Sequence, residues 1–150
     1  MHDKPIRSGL LSLLDYLDSR HIPFVVVSGG FRCLVEAVLR REHVLERCSN
    51  VYAIDIDHSG DNLKVLSAWE SGSELVAKVD VIHRECQQNE KIIMIGDSIT
   101  DLNASKCADV VFARDILCKY LSDEKIDFHE WADFDDIRRQ LERMENDSLF

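Results

Sequence analysis

Positively charged residues are scarce in this sequence. Its 150 residues include 18 Lys and Arg against 28 Asp and Glu, which gives a formal net charge of -10. Nucleic acids and anionic membrane surfaces are bound by clustered Lys and Arg, so we expect neither as a partner. A small anionic ligand remains compatible with this charge, because a few N–H groups, one Lys and a divalent metal can hold an anion inside an acidic protein.

Long apolar runs and paired cysteines are absent as well. No segment approaches the roughly 20 apolar residues of a membrane-spanning helix, and the first seven residues lack the apolar core of a signal peptide. The number of cysteines is odd and none forms a Cys-x-x-Cys pair, which favours reduced thiols over a disulfide framework. We therefore predict a cytoplasmic protein. The cysteines are Cys33, Cys48, Cys86, Cys107 and Cys118.

Patterns typical of strands and helices alternate along the chain. Helical stripes lie between apolar runs, and residues 63–69 are expected to return, after a turn at residues 59–62, as the second strand of a hairpin. The apolar stripe of the last predicted helix comprises Phe134, Ile137, Leu141 and Met144. This alternation predicts an α/β fold, a Rossmann-like three-layer α/β/α sandwich with a mainly parallel sheet, formed by residues 1–150 as one domain. Ligands of such sheets bind at the carboxyl ends of the strands. The predicted strands are 24–27, 51–56, 91–95, 109–112 and, more weakly, 125–131.

The segment Gly96-Asp97-Ser98-Ile99-Thr100-Asp101 follows one of these strands. Asp97 stands directly after the strand, and Asp101 follows four residues later, in the first turn of the next helix. This spacing brings two carboxylates toward one point, and hard oxygen ligands near a helix N-terminus suit Mg²⁺. The alternative is a capping box, in which Ser98 and Asp101 stabilise the helix start. That alternative explains Ser98 and Asp101 but not Asp97.

A second candidate segment is Ser28-Gly29-Gly30, which follows the strand 24–27. The Ser28 hydroxyl and the N–H groups of Gly29 and Gly30 are suited to hold a phosphoryl oxygen. Alternatively, Ser28 is only the N-cap of the helix that follows. Taken by itself, this segment favours the N-cap alternative.

These two segments resemble motifs of the haloacid dehalogenase superfamily. Gly-Asp-Ser-x-Thr-Asp is similar to its fourth motif, whose metal-binding carboxylates map onto Asp97 and Asp101, and the Ser28 segment resembles its phosphate-binding second motif. The stretch 110–115 resembles a branch that holds phosphoserine phosphatase-like enzymes and a methionine-salvage phosphatase. The resemblance implies Mg²⁺ as cofactor and a small phosphorylated metabolite as ligand.

Two basic residues enter through the same resemblance. Lys78 is similar to the Lys of the third motif, which neutralises phosphate charge, although the Gly that usually precedes it is missing. The alternative is an ordinary surface Lys. Arg114 either faces substrate or pairs with Asp115 or a neighbouring acid.

The family's first motif, Asp-x-Asp-x-Thr, is not found before Ser28. Its first Asp is the nucleophile and its second the general acid and base, so no catalytic residue is identified here. The helical cap of this branch is also not found, and we expect a chain that is N-terminally truncated relative to the family. Asp55 and Asp57 form an Asp-x-Asp further along the chain, whose role as a relocated nucleophile or as an edge pattern stays open.

The missing motif has a structural consequence. In the family its strand lies between the strand before Ser28 and the strand before Asp97, so both would be left with unpaired N–H and C=O groups. We expect an oligomer, or a complementing segment that supplies the strand. The predicted function is that of a Mg²⁺-dependent phosphatase domain that is inactive as the isolated chain. The alternatives are a non-catalytic pseudo-phosphatase that binds phosphate ligands or a protein, and a receiver-like signalling domain.

Overall fold

A computed structural model of the chain describes residues 6–57, 64–66, 78–86 and 90–147. Within these ranges helices and strands alternate, and the predicted α/β class is confirmed. In chain order the elements are α1 (Leu10–Ser19), β1 (Val25–Phe31), α2 (Arg32–Arg41), β2 (Asn50–Asp57), β3 (Lys64–Leu66), α3 (Lys78–Glu85), β4 (Ile93–Gly96), α4 (Leu102–Lys106), β5 (Val110–Ala113), α5 (Ile116–Asp123), β6 (His129–Glu130) and α6 (Phe134–Asn146). Short 3₁₀ turns precede β2 and α4, at Leu45–Arg47 and Ile99–Asp101.

The chain divides into two compact units. The first comprises residues 1–7 and 14–77, and the second comprises residues 8–13 and 78–150. Helix α1 thus contributes its first residues to the second unit and the remainder to the first. The expectation that residues 1–150 form one domain stays a prediction.

The sheet of the first unit contains β1, β2 and β3 in that order. β1 and β2 are parallel, and β2 and β3 are antiparallel. The predicted hairpin is therefore present, while its predicted turn at residues 59–62 lies outside the described residues. Tyr52, Ala53 and Ile54 of β2 are all buried, which is typical of a strand covered on both faces. β1 forms an edge of this sheet.

Strand β1 is longer than the sequence predicts. The glycines were expected to end it at Val27, but it continues through Phe31. Val27 pairs with Tyr52 and Phe31 pairs with Ile54, so three residues of β1 lie opposite one residue of β2. Extra residues of this kind make a strand bulge outward without ending its pairing. We call residues 28–30 the Ser28 bulge.

The sheet of the second unit contains β4, β5 and β6, all parallel, with β4 at an edge. Gly96 pairs with Ala113, and Ala113 pairs with Glu130, so the carboxyl ends of the three strands are level. The residues that follow these ends are Asp97, Arg114 and Trp131. They therefore leave the sheet at one edge. The weak strand predicted at residues 125–131 is reduced to His129–Glu130.

Helices cover this sheet with apolar side chains. Val111 and Ala113 of β5 pack with Leu117 and Leu121 of α5 in one buried cluster. Full burial of a Leu side chain is worth about 1.5–3 kcal/mol, so this cluster anchors β5 firmly. The predicted apolar stripe of α6 is confirmed at Ile137, Leu141 and Met144, all buried. No helix in the described ranges is long and apolar enough to cross a membrane.

Candidate functional site

The turn after β4 contains the strongest candidate residues, and we call residues 96–101 the Asp97 turn. The carboxylate of Asp97 is exposed at the end of β4. Among the described residues, this carboxylate forms no hydrogen bond or ion pair. It is therefore the carboxylate of the turn that is available to a ligand.

Asp101 has the opposite environment. Its side chain is 7% exposed, and Oδ2 accepts hydrogen bonds from the backbone N–H groups of Asp97 (3.0 Å) and Ser98 (3.1 Å). Its other oxygen, Oδ1, accepts from Nζ of Lys78. Both oxygens are thus occupied, and the alternative of a capping box formed with Ser98 is confirmed.

The glycine that opens the turn is required by this arrangement. A Cβ atom on Gly96 would lie 2.6 Å from Oδ2 and 2.8 Å from Cγ of Asp101. Real Cβ atoms do not approach other atoms this closely, and the Asp101 carboxylate is fixed by its own hydrogen bonds. The missing side chain at Gly96 therefore lets the Asp101 carboxylate pack against the end of β4.

Lys78 is not a solvated surface residue, so that alternative is wrong. Its side chain is 13% exposed. Nζ donates to Oγ1 of Thr100 at 3.0 Å and to Asp101. An ammonium group has three N–H donors, and partners among the described residues use two of them. The structure thus brings Lys78 and the Asp97 turn together, and Thr100 joins them, a contact that the sequence did not predict.

The Ser28 bulge carries the candidate residues of the first unit. The half-buried Ser28 accepts a hydrogen bond from the N–H of Gly30 through Oγ at 3.0 Å. This contact orients the hydroxyl oxygen, and a Ser hydroxyl also has one hydrogen to donate. A Cβ atom on Gly29 would meet nothing within 4 Å, so the backbone there faces open space.

The alternative that Ser28 is the N-cap of α2 is wrong. That helix begins at Arg32, and its N-cap is Phe31, which makes no side-chain capping bond. The first residue of α2 instead has a different contact. Arg32 donates from Nε to Oδ1 of Asp55 at 2.7 Å and from Nη1 to the carbonyl of Val51 at 3.0 Å. The Asp55 carboxylate raises the pKa of Arg32 above its usual value, chiefly through this hydrogen bond.

This ion pair bears on the Asp-x-Asp pattern of β2. Asp55 is 54% exposed and engaged with Arg32, which disfavours it as a free nucleophile. The side chain of Asp57 lies outside the described residues. The pattern thus supplies one carboxylate that is already paired.

Arg114 pairs with Asp115, which is the second of its two predicted environments. Nε donates to Oδ2 of Asp115 at 3.3 Å, and Nη1 donates to the carbonyl of Ala132. Its guanidinium lies 5.2 Å from the centre of the Trp131 ring. Trp131, which the sequence did not single out as a site residue, donates from Nε1 to the carbonyl of Gly96 at 3.2 Å.

The thiols remain free in the structure. All five cysteines are unpaired. Burial raises the pKa of the Cys48, Cys86 and Cys118 thiols above their usual value. Because the thiolate is the nucleophile, none of these three is an activated one.

The residues fit a magnesium ion bound through one protein carboxylate. Among the described residues no group of three or more His, Cys, Asp or Glu side chains could hold a metal. Mg²⁺ usually keeps several waters and binds through one or two carboxylates together with substrate phosphate. The exposed Asp97 meets that requirement for the first carboxylate. Asp101 already accepts hydrogen bonds at both oxygens, and its metal-binding role stays a prediction.

The fold and these motifs define the class of the protein. The chain belongs to the haloacid dehalogenase-like hydrolase family, whose model matches residues 1–109. A solved structure of phosphoserine phosphatase in its apo form is similar to this chain, with a TM-score of 0.66 at 19% identity. The matched region covers 91% of this chain and 66% of the phosphatase chain. That likeness confirms the predicted Rossmann-like fold.

Two relatives within this family share more sequence with the chain. The 2-hydroxy-3-keto-5-methylthiopentenyl-1-phosphate phosphatase of Microcystis aeruginosa is 40% identical over 139 residues, which cover 93% of this chain and 65% of that protein. The phosphatase of the same name from Bacillus pumilus is 30% identical over 149 residues, covering 96% of this chain and 63% of that protein. The chain therefore spans less than two thirds of the length of these relatives.

Proposed function

We propose that the chain carries the phosphate-binding and metal-binding residues of a Mg²⁺-dependent phosphatase for a small phosphomonoester. The substrate named in its relatives, 2-hydroxy-3-keto-5-methylthiopentenyl-1-phosphate, is the leading candidate. The observation that carries the proposal is the Lys78 ammonium. It is largely buried and held by Thr100 and Asp101 beside the exposed Asp97.

Each residue has a defined role in this proposal. Asp97 binds Mg²⁺, which supplies positive charge to polarise a phosphoryl oxygen. Lys78 presents its remaining N–H to phosphate, and Asp101 holds Lys78 and the Asp97 turn in place. Ser28 donates its hydroxyl hydrogen to phosphate, and the open backbone at Gly29 admits the ligand closely.

In this proposal the nucleophile comes from outside the described residues. Residues 6–24 contain helix α1 and no strand, so the described part of this stretch offers no Asp at a strand end. We propose that a further segment, from the same polypeptide or from a second chain, brings the nucleophile on a strand. Within the described ranges, β1 and β4 each have one edge without a partner strand, which supports this proposal.

A non-catalytic pseudo-phosphatase is the second candidate. The observation in its favour is the same lack of a nucleophile among the described residues, combined with an intact Lys78 and Asp97 arrangement. Such a protein would bind phosphate ligands without hydrolysing them. No observation favours a receiver-like signalling role over these two candidates.

The five free thiols support the cytoplasm as the proposed location of the protein.

Hydrolysis of a generic aryl phosphate with Mg²⁺ tests the proposal. The wild-type chain and Asp97→Asn are compared after both are shown to be folded by thermal unfolding. We expect no turnover in either protein, and binding of inorganic phosphate by the wild type. Turnover that disappears in Asp97→Asn would support the phosphatase and contradict the inactivity of the chain, and Asp55 and Asp57 would then be replaced next. An absence of phosphate binding would contradict both candidates.

The oligomeric state tests the proposed completion of the sheets. Light scattering during size-exclusion chromatography is expected to detect association of the 150-residue chain through its unpaired strand edges. A monodisperse monomer that unfolds cooperatively would count against that expectation.

A further inference from the structure

Three residues follow the level strand ends of the second unit, namely Asp97, Arg114 and Trp131. Only Asp97 has a role in the function proposed above. Trp131 follows β6, which is separated from β4 by β5. Neighbouring strands lie about 4.8 Å apart, so the indole crosses the carboxyl end of β5 to reach the Gly96 carbonyl. Its Nε1 donates there at 3.2 Å, in a buried setting.

The carbonyl that Trp131 holds is next to the candidate metal ligand. Gly96 is the last residue of β4, and Asp97 follows it directly. The peptide between them is restrained on one side by the indole N–H at the Gly96 carbonyl and on the other by Asp101, which accepts from the Asp97 N–H. Both polar groups of one peptide unit are thus fixed by buried side chains.

Arg114 in turn restrains the Trp131 ring. Its guanidinium lies 5.2 Å from the ring centre and also binds the carbonyl of Ala132, the next residue. Phe134 packs on the same ring, with a centroid distance of 5.4 Å. A cation over the face of an indole is an attractive contact. The ring is therefore supported by Arg114, which directly follows β5, and by Phe134, the first residue of α6.

We propose that Trp131 and Arg114 are positioning residues for Asp97. Trp131 fixes the peptide that orients the Asp97 carboxylate, and Arg114 fixes Trp131. The consequence for Mg²⁺ binding rests on the function proposed above, whereas the restraint of the peptide does not. Neither residue contacts the metal or the substrate in this proposal.

Trp131→Phe tests the first contact, because it removes the indole N–H and keeps an aromatic ring in the core. Amide hydrogen exchange is measured at Asp97 and Ser98 and, as a reference for the whole unit, at Ile137 and Leu141. Loss of one hydrogen bond to an uncharged group shifts an opening equilibrium by roughly two- to tenfold. We expect exchange at Asp97 and Ser98 to accelerate by about that factor relative to the reference amides.

Arg114→Met tests the second contact, and Arg138→Met is its matched control. The two arginines have similar side-chain exposure, 21% and 26%, and each forms ion pairs within the second unit. We expect a smaller acceleration at Asp97 and Ser98 in Arg114→Met, about two- to threefold. In Arg138→Met the ratio of exchange at Asp97 and Ser98 to exchange at the reference amides should stay unchanged.

A titration with Mg²⁺ alone supplies the second readout. Loss of a residue that supports a metal ligand commonly weakens metal affinity about 10–100-fold, and we expect a loss in that range for Trp131→Phe. Equal exchange ratios in Trp131→Phe and wild type, or uniform acceleration across the unit, would overturn the positioning role. A wild type that binds no Mg²⁺ would contradict the proposed metal site, while the exchange ratios would still decide whether Trp131 restrains the turn.

Discussion

The Asp97 turn and the Ser28 bulge differ in how far their polar groups are already satisfied. In the Asp97 turn, Asp101 occupies two backbone N–H groups and the Lys78 ammonium, and little is left open except Asp97 and one N–H of Lys78. In the Ser28 bulge, one hydrogen bond joins Gly30 to Ser28, and Gly29 faces open space. The Asp97 turn is stabilised by the contacts of its own charged side chains. The Ser28 bulge is stabilised by strand pairing, and its hydroxyl donor is proposed to bind a ligand.

Asp101→Ala should produce the largest change in stability. It leaves a largely buried ammonium and two backbone N–H groups without their acceptor, and the loss of one partner of a buried ion pair costs about 3–5 kcal/mol. The free energy of unfolding, from urea denaturation, measures this cost. The matched control is Asp97→Ala, which should change it by less than about 0.5 kcal/mol because that side chain is exposed. Equal effects of the two substitutions would remove the distinction between these carboxylates.

Gly96→Ala and Gly29→Ala compare the two regions directly. The new methyl group at residue 96 would meet the Asp101 carboxylate at 2.6 Å, and forced packing of this kind costs about 1–3 kcal/mol. At residue 29 the methyl group meets open space, so stability should be unchanged or rise by up to about 1 kcal/mol. Thermal unfolding of both variants measures the difference. A larger loss at residue 29 would reverse the comparison.

Ser28→Ala should affect binding more than folding. The hydroxyl makes one exposed hydrogen bond to Gly30, so we expect a stability change within about 0.5 kcal/mol. A hydrogen bond to a charged ligand is worth about 1.5–3 kcal/mol, so affinity for inorganic phosphate should fall roughly tenfold or more. Calorimetric titration with phosphate measures it, with Ser12→Ala on α1 as a control serine. Unchanged affinity would remove Ser28 from the proposed site.

Asp55→Asn should have the smallest effect. Its ion pair with Arg32 is exposed, and such pairs contribute about 0–1 kcal/mol. Stability should therefore change little, and any hydrolysis of aryl phosphate by the wild-type chain should persist. Hydrolysis that is present in the wild type and lost in this variant would identify Asp55 as the nucleophile that the first unit otherwise lacks.

The sequence predicted the features that depend on local patterns. The apolar stripe of α6, the parallel strands and the position of Asp97 after β4 all follow from the spacing of residues close together in the chain. The end of β1 was missed because Ser-Gly-Gly usually breaks a strand, whereas here pairing of Phe31 with Ile54 carries the strand past it.

The contacts that organise the site were beyond local patterns. Lys78 meets Thr100 across 22 positions of sequence, and Trp131 meets Gly96 across 35. Neither pair has a spacing signal. The first contact depends on how α3 packs beside the Asp97 turn, and the second depends on the order in which β4, β5 and β6 join the sheet. In the sequence, Thr100 of the Gly-Asp-Ser-x-Thr-Asp segment indicated only that a hydroxyl lies close to the two carboxylates, not that it contacts Lys78.

Titration of the isotopically labelled chain with Mg²⁺, with and without inorganic phosphate, tests most directly that Asp97 is the free carboxylate of the site. Shifts in the backbone resonances of residues 96–101 report binding in the wild type and in Asp97→Asn. We predict that the wild type binds Mg²⁺, that phosphate strengthens this binding, and that Asp97→Asn weakens it by more than about tenfold. Equal affinity for Mg²⁺ in the two proteins would contradict the account.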